Sequence, residues 1–286
     1  MHRHNRWLTG YAIVVYAFLF APIVILILFS FNDSRRNFAW RGFTLDWYPR
    51  LFANEDLLDA LFRTLQVATL AVIGSVILGT LLGLGLVRMG RRARGTSETL
   101  LLLPMVTPEI VMGLALLLFF AQLFGGQGSL AQIGIAHITF CVSYVAVVVR
   151  ARAASLDPAL EEAGRDLGAS AWGAFRYITL PLLLPAIAAG AMLAFALSFD
   201  DLVVTTFNAG VGSSTLPLYI YGKIKFGVTP EINAISTIIV AVTAVFILLA
   251  WRFGRLGGGR EERPEEPAAE GPTAGGQMAE GQAAGR

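Results

Sequence analysis

Residues 161–185 read EEAGRDLGASAWGAFRYITLPLLLP and separate two long hydrophobic runs of the chain. The first part of this stretch is polar, charged and rich in glycine, and its end, ITLP, leads back into apolar sequence. A segment of this composition buries little surface against its own chain. It is suited to docking into a groove on another protein, and the alternative is a plain amphipathic loop at the membrane surface.

The residues around this stretch carry the signals of two short helices. Asp157 is a suitable N-cap, Pro158 suits the first helical position, and two glutamates follow in the first turn. We predict one helix over about 158–167 that is ended by Gly168. A second short helix is expected to begin near Ser170 and to stop at the prolines before the next hydrophobic run.

The chain as a whole is too hydrophobic for a soluble domain. Of its 286 residues, 55% are hydrophobic and 15% are charged, whereas soluble domains carry about 25% charged residues. The net charge of +2, without a basic patch interleaved with aromatics, excludes nucleic acid as a partner. The composition predicts an all-α integral membrane protein in contact with lipid.

Six hydrophobic stretches each approach the roughly 20 residues that a membrane-crossing helix requires. They lie near 11–31, 63–87, 99–123, 132–150, 181–203 and 232–252. We therefore predict six transmembrane helices, and the first is too long for the apolar part of a signal peptide.

The distribution of lysine and arginine indicates the orientation. With the N-terminus in the cytoplasm, the inner segments hold 15 of these residues and the outer segments hold 7. Because positive charge is enriched on the inner side, we predict that both termini are cytoplasmic. The predicted parts are a cytoplasmic arm at 1–10, the first helix at 11–31, a periplasmic loop at 32–62, a five-helix core at 63–252 with the polar segment near 157–180, and a disordered cytoplasmic tail at 253–286.

Small residues recur in the second hydrophobic stretch. Gly79 and Gly83 stand four positions apart, a spacing that lets helix backbones approach closely in lipid. This pattern favours a packing face toward another span or another subunit. Ordinary glycine abundance in membrane helices is the alternative.

Glu109 lies within the third stretch, in LLLPMVTPEIVMG. Both Pro104 and Pro108 remove a backbone donor and should bend or break the helix there. A carboxylate beside a broken helix at mid-depth is typical of a cation-binding position in a transporter. Alternatively, Glu109 pairs with an arginine or a backbone donor in a purely structural role.

Two further carboxylates, Asp200 and Asp201, lie at the end of the fifth stretch. Aromatic residues accompany them, among which we select Phe199 and, in the first outer loop, Trp47. Carboxylates together with aromatic faces favour an ammonium ligand, so these residues are candidates for a substrate pathway. The polar end of a span and the usual interfacial aromatic belt are the alternatives.

The order and spacing of the polar segment resemble a known family. Glu162-Ala163-Gly164, three residues, Gly168, nine residues and then ITLP at 178–181 are similar to the EAA signature of binding-protein-dependent ABC importer permeases. The pattern departs from that signature where Gly164 replaces alanine. The resemblance implies a MetI-like type I importer fold in which this segment docks into a cytoplasmic ATPase subunit. It assigns that coupling role to Glu161, Glu162, Ala163, Gly164, Gly168, Ile178, Leu180 and Pro181.

Several kinds of chemistry are absent from the sequence. It contains no G-x-x-x-x-G-K-[ST] phosphate loop and no nucleophile elbow, and so we expect no enzymatic activity and no cofactor. His2, His4 and His137 form no metal-binding set with Cys141. Energy for transport must come from a separate ATPase chain or from an ion gradient.

A broader resemblance, over roughly residues 10–255, points to the permease subunits of spermidine/putrescine importers. It is strongest over 195–240, in SFDDLVVTTFNAGVGSSTLPLYIYGKIKFG and the residues that follow. The resemblance implies a bacterial inner-membrane complex with a second permease, two ATPase subunits and a periplasmic or lipid-anchored substrate-binding protein. A small organic cation such as putrescine or spermidine is the implied solute.

Other functions stay open at this point. Related permeases carry amino-acid-like compounds, iron or sulfate. A secondary transporter driven by an ion gradient is less favoured, because the six stretches show no inverted repeat and would leave the EAA segment without a purpose. A membrane scaffold without a transport path would not need acidic residues within its spans.

Overall fold

The computed structural model describes residues 6–34, 39–225 and 229–257, and it divides the chain into two units, 1–237 and 238–286. Regular structure in the described residues is helical, apart from an isolated antiparallel bridge between Asn32 and Phe43. The helices are α1 (Arg6–Phe29), α2 (Trp47–Phe52), α3 (Glu55–Arg88), α4 (Arg91–Val106), α5 (Glu109–Phe124), α6 (Leu130–Ala154), α7 (Pro158–Asp166), α8 (Ala171–Ala174), a π-helical segment (Phe175–Thr179), α9 (Leu180–Phe199), α10 (Val203–Asn208), α11 (Leu216–Ile224) and α12 (Pro230–Gly257).

Four helices in the described residues are long and apolar enough to cross a membrane. They are Trp7–Phe29, Glu55–Arg88, Leu130–Ala154 and Ala171–Phe199. A fifth crossing results if the bent pair of α4 and α5 counts as one span. The apolar part of α12, Pro230–Val245, is shorter than these. Four to five spans are therefore supported, and the sixth remains a prediction.

Two helices extend beyond the stretches that hydrophobicity marks. α3 begins at Glu55 because the side chain of Asn54 accepts a hydrogen bond from the Leu57 backbone N–H, at 3.2 Å, and acidic residues occupy the first turn. Residues 55–62 of the expected loop are thus helical. α12 continues through Gly254 to Gly257, where a run of three glycines begins. The rest of the predicted tail, from 258 onward, lies outside the described residues.

The core of the first unit is formed where α3, α6 and α9 pack together. A Cβ atom added at Gly79 would lie 2.7 Å from the Cβ of Val145, and one at Gly83 would lie 2.9 Å from the carbonyl oxygen of Ala146. These contacts leave no room for a side chain, so the prediction of a glycine packing face toward another span is confirmed, and that span is α6. The buried cluster around this contact consists of Phe120, Ala136, Phe140, Cys141, Val145, Val149, Ala194 and Val204.

The third hydrophobic stretch is broken, as its prolines predict. The axes of α4 and α5 differ by 103° across residues 107–108. Thr107 and Pro108 both have extended backbone with ψ near 131° and 133°, and a residue before proline is driven toward that region. Pro104, by contrast, lies inside α4. The break therefore belongs to Pro108, and Pro104 does not break the helix that contains it.

The first half of the polar segment folds as its local signals predict. The Asp157 carboxylate caps α7 by accepting a hydrogen bond from the backbone N–H of Ala159, at 2.9 Å. Gly168 follows the helix with φ of +92°, a conformation that favours glycine. The predicted helix over about 158–167 and its glycine turn are confirmed.

The second half differs from the prediction. Ser170 caps α8 as expected. Helical structure then continues from α8 through the π-helical segment into α9, so that Ala171–Phe199 form one helical stretch. The π-helical segment within it contains a hydrogen bond from the Leu180 N–H to the Phe175 carbonyl, five residues back. Such a widened turn accommodates Pro181, which has no N–H to donate, in the first turn of α9. The prediction of a separate second helix is therefore wrong.

Candidate functional sites: an acidic cavity and a polar coupling segment

A cavity of about 480 Å³ lies at the break between α4 and α5. It is lined by the residues around that break, by α6, and by the segment that links α9 to α10. Glu109, Asp200 and Asp201 all contribute to its lining, as do the rings of Phe140 and Tyr144. The structure thus brings Glu109 together with the pair of aspartates that the sequence selects separately from it. We call this site the acidic cavity.

Glu109 is an exposed residue at the start of α5. Its carboxylate lies in the first turn, where the partial positive charge of a helix N-terminus stabilises an anion. Within the described part of the chain, Glu109 has neither a hydrogen-bonding partner nor an ion pair. The alternative in which it pairs with an arginine has no supporting contact there.

The side chain of Asp201 is buried and forms several hydrogen bonds. One carboxylate oxygen accepts the backbone N–H of Val204 at 3.2 Å, and the other accepts the backbone N–H and the hydroxyl of Thr205, each at 2.8 Å. Only 6% of its side chain is exposed. Asp201 therefore satisfies the free donors at the first turn of α10, which is the role of an N-terminal capping residue.

A buried histidine, for which the sequence analysis found no metal-binding set, completes this arrangement. The Nε2 atom of His137 lies 3.2 Å from an Asp201 carboxylate oxygen and 3.1 Å from the hydroxyl of Thr205. Its Nδ1 atom lies 2.7 Å from the hydroxyl of Ser198. Since its ring is 1% exposed, His137 needs partners for both nitrogens. These partners are far from His137 along the chain, and so the sequence did not reveal them.

Asp200 differs from its neighbour. It is an exposed residue just after α9, and its backbone N–H bonds to the carbonyl of Ala196 at 3.3 Å. Its carboxylate accepts no hydrogen bond from any other residue that the structure describes. Of two adjacent aspartates on the cavity wall, one is used by the fold and the other is free for a ligand.

The two aromatic residues selected from the sequence lie elsewhere. The indole N–H of Trp47 donates to the carbonyl of Asn32 at 2.8 Å, and the guanidinium of Arg50 lies 5.0 Å from its ring centre. Phe199 stacks on Phe195 with ring centres 5.5 Å apart. Neither residue lines the acidic cavity. Their part in a substrate pathway stays a prediction, whereas Phe140 and Tyr144 are cavity aromatics that the sequence analysis missed.

In the polar segment, Glu161 joins three structural elements. It forms an ion pair of 2.9 Å with Arg88 at the end of α3 and one of 3.0 Å with Arg165 within α7. It also accepts a hydrogen bond from the Thr179 hydroxyl at 3.4 Å. A Cβ atom added at Gly164 would collide with the Cδ1 atom of Ile178, so α7 packs closely on the π-helical segment. These contacts fix α7 against α3 and the long helix.

Other residues of the segment point away from the chain. Glu162, Ala163 and Gly168 are exposed, and so are the large side chains of Trp172 and Tyr177. An exposed surface that combines a carboxylate with aromatic rings is suited to contact another protein. We call residues 157–180 the coupling segment.

The chain shares its fold with solved membrane transport proteins. A bacterial ABC transporter that imports the acidic polysaccharide alginate matches with a TM-score of 0.67 at 19% identity, covering 89% of this chain and 96% of that one. An amino acid ABC transporter solved with histidines matches with a TM-score of 0.55 at 22% identity, covering 74% and 99%. The chain therefore has the fold of an ABC importer permease.

The sequence comparisons narrow this class to a family. The model of the "Binding-protein-dependent transport system inner membrane component" matches residues 75–256, and the chain belongs to that family. The putrescine transport system permease protein PotI of Escherichia coli K12 is 38% identical over 253 residues, covering 86% of this chain and 90% of its own length. The spermidine/putrescine permease protein PotC of the same strain is 39% identical over 246 residues, covering 86% and 93%. The chain is thus a multi-pass inner-membrane permease whose relatives are non-catalytic transport subunits.

Proposed function

We propose that this permease imports putrescine, spermidine or a similar small organic cation. The acidic cavity is the observation that supports this proposal most strongly, because it presents the free carboxylates of Glu109 and Asp200 beside the rings of Phe140 and Tyr144. None of the residues that line it bears a positive charge. Such a lining favours a cation and disfavours an anion such as sulfate.

The energetics of an ammonium group require this kind of lining. A cation that leaves water without a counter-charge is destabilised by several kcal/mol, and a carboxylate partner offsets that cost. An aromatic face contributes roughly 0.5–2 kcal/mol more per contact. A diamine offers two ammonium groups for two free carboxylates. The similarity to relatives named for putrescine and spermidine supports the same solute class.

Transport requires partner chains. The coupling segment exposes Glu162, Trp172 and Tyr177, and it is the part of the chain suited to dock on an ATPase subunit. We infer a complex of this permease with a second, different permease, two cytoplasmic ATPase subunits and a periplasmic or lipid-anchored binding protein. ATP hydrolysis by the ATPase pair then moves α7, and its contacts pass the motion to α3 and α9.

The topology that serves this complex has six spans with both termini in the cytoplasm. The excess of lysine and arginine in the inner segments supports it, and so does the need for the coupling segment to face the compartment that holds ATP. A reporter fused after Trp251 should be cytoplasmic. One inserted at Gly126, an exposed loop position, should be external, whereas Gly128 is unsuitable because it packs against Gly210. An external C-terminus would overturn both the topology and the docking model.

Uptake by the whole complex tests the solute. Proteoliposomes that contain both permeases and the ATPase subunits, supplied with the binding protein and ATP, should accumulate labelled putrescine or spermidine. Unlabelled amino acid, ferric iron and sulfate should not compete. Import of one of those solutes in place of the polyamine would overturn the solute assignment and leave the importer intact.

A further inference from the structure

We propose that His137 is a positioning residue for the acidic cavity. Its Nε2–H holds Asp201 in place as the cap of α10, and this leaves Asp200 as the aspartate of the pair that is available to the solute. The inference rests on the proposed function in assigning the cavity to the solute. Its structural part, the protection of Asp201 by His137, does not depend on which solute is carried.

The hydrogen-bond network defines how the histidine acts. The hydroxyl of Thr205 donates to Asp201, so this hydroxyl can only accept from the His137 ring. The neutral ring with its hydrogen on Nε2 fits all three partners: Nε2–H donates toward Asp201 and Thr205, and Nδ1 accepts from the Ser198 hydroxyl. Every polar atom of the ring is then satisfied without a second buried charge.

The network ties together three elements that border the cavity. His137 lies on α6, Ser198 lies in the last turn of α9, and Asp201 with Thr205 holds the start of α10. The turn that contains Asp200 runs between Ser198 and Asp201, so the histidine fixes both of its ends. Its conformation determines where the free carboxylate of Asp200 points.

The same network reaches the opposite wall of the cavity through α10. The Asn208 side chain donates to the Val204 carbonyl at 2.8 Å and to the Gly113 carbonyl of α5 at 3.4 Å. A Cβ atom added at Gly113 would lie 2.7 Å from the ring of Phe207, so α5 and α10 are in close contact. Because Glu109 begins α5, a shift of α10 would displace both free carboxylates relative to each other.

Two substitutions of His137 distinguish its contact with Asp201 from its contact with Ser198. Gln at this position can place a side-chain N–H near the site of Nε2 and preserve the bond to Asp201. Asn is shorter, and it can replace only the Nδ1 contact to Ser198. Ser198→Ala is the matched control, because it removes the Nδ1 contact and leaves the Asp201 contact in place.

Carbodiimide labelling of carboxylates in the purified complex, read by fragment mass spectrometry, measures the positioning directly. In the wild type, Glu109 and Asp200 should be labelled and Asp201 protected. His137→Asn should expose Asp201 to labelling, whereas His137→Gln and Ser198→Ala should keep it protected. Unchanged protection of Asp201 in His137→Asn, or equal exposure in the Asn and Gln variants, would overturn the proposal.

Transport kinetics supply the second readout. The KM for putrescine should rise about tenfold in His137→Asn, the order expected when a hydrogen bond to a charged group is lost, and should change little in His137→Gln. If complex assembly falls in His137→Asn while the KM of the assembled fraction is normal, the histidine is structural only and the proposal fails. Failure of the wild type to carry putrescine would contradict the proposed solute, and the labelling result would still decide the role of His137.

Discussion

The coupling segment and the acidic cavity are constructed in different ways. The coupling segment lies within one continuous run of the chain, and its caps, its turn and its exposed face are set by near neighbours in sequence. The cavity collects Glu109 from the start of α5, and Asp200 and Asp201 from the link between α9 and α10. Local signals are therefore sufficient for α7 and its glycine turn in the first site, although not for the π-helical segment that follows. In the second, the same signals identify the residues but not which of them is free to bind.

Gly168 is the position at which the coupling segment can be disrupted most severely. A valine there would have to adopt φ of +92°, which costs a β-branched residue about 1–3 kcal/mol. We expect Gly168→Val to remain in the membrane at the wild-type level but to abolish ATP-dependent uptake, because α7 loses its orientation to the long helix. Uptake of labelled putrescine and co-purification of the ATPase subunits measure the two effects.

Two variants serve as controls for this result. Gly168→Asn should retain part of the uptake, since asparagine tolerates the left-handed conformation. Gly95→Val places the same side chain on α4 at a site with nothing within 4 Å of the added Cβ, and it should transport normally. Normal uptake by Gly168→Val would contradict the coupling role of the segment.

The next largest effect concerns the cavity, where neighbouring aspartates should behave differently. Asp200→Asn and Glu109→Gln each remove a charge without a protein partner. We expect them to lower the apparent affinity for polyamine by roughly 10- to 100-fold, the range for a lost bond to a charged group, with normal assembly. Asp201→Asn should instead reduce the yield and thermal stability of the complex, because an amide has a single acceptor oxygen for donors that both carboxylate oxygens now accept.

This outcome would revise the interpretation of Asp201 made from sequence, which grouped it with the substrate pathway. Uptake kinetics and thermal melting of the purified complex separate the two behaviours. Equal losses of uptake in all three variants with equal stability would show that Asp201 binds the solute too.

Several features that depend on contacts between near neighbours in the chain were predicted correctly, and polar pairs that depend on distant contacts were not. Asp157 and Gly168 act on backbone groups a few residues away, so α7 and its turn were predicted correctly. Pro181 was misinterpreted, since its tolerance depends on the widened π-helical turn that precedes it. His137 was missed because its partners follow about 60 residues later. Pairing of distant polar groups depends on helix packing, which a single sequence does not specify.

A smaller effect is expected at the contact between α7 and α3. The side chains of Arg88 and Glu161 are 59% and 23% exposed, and a pair of this kind contributes about 0.2–1 kcal/mol. Arg88→Gln should lower the amount of polyamine imported per ATP hydrolysed by about two- to fivefold. Arg165→Gln removes the other ion pair of Glu161, which lies within α7, and should leave that ratio unchanged. If both variants behave alike, the link to α3 does not transmit motion.

The smallest effect should follow from restoring the alanine of the EAA signature. In Gly164→Ala the new methyl group meets the flexible end of Ile178, while the helix gains up to about 1 kcal/mol in propensity. These effects oppose each other, so uptake should stay within about twofold of the wild type. Adding Ile178→Val relieves the contact and should restore or exceed wild-type uptake. A severe defect in the double variant would show that the contact itself is required.

The separation between the two sites is tested most directly by measuring ATP hydrolysis and putrescine uptake in the same proteoliposomes. With saturating liganded binding protein, Gly168→Val should lose both stimulated ATP hydrolysis and uptake. Under the same conditions, Asp200→Asn should keep the stimulated hydrolysis and lose most of the uptake. Identical behaviour of the two variants, whether both activities are lost together or both are retained, would contradict the assignment of energy coupling to one site and solute binding to the other.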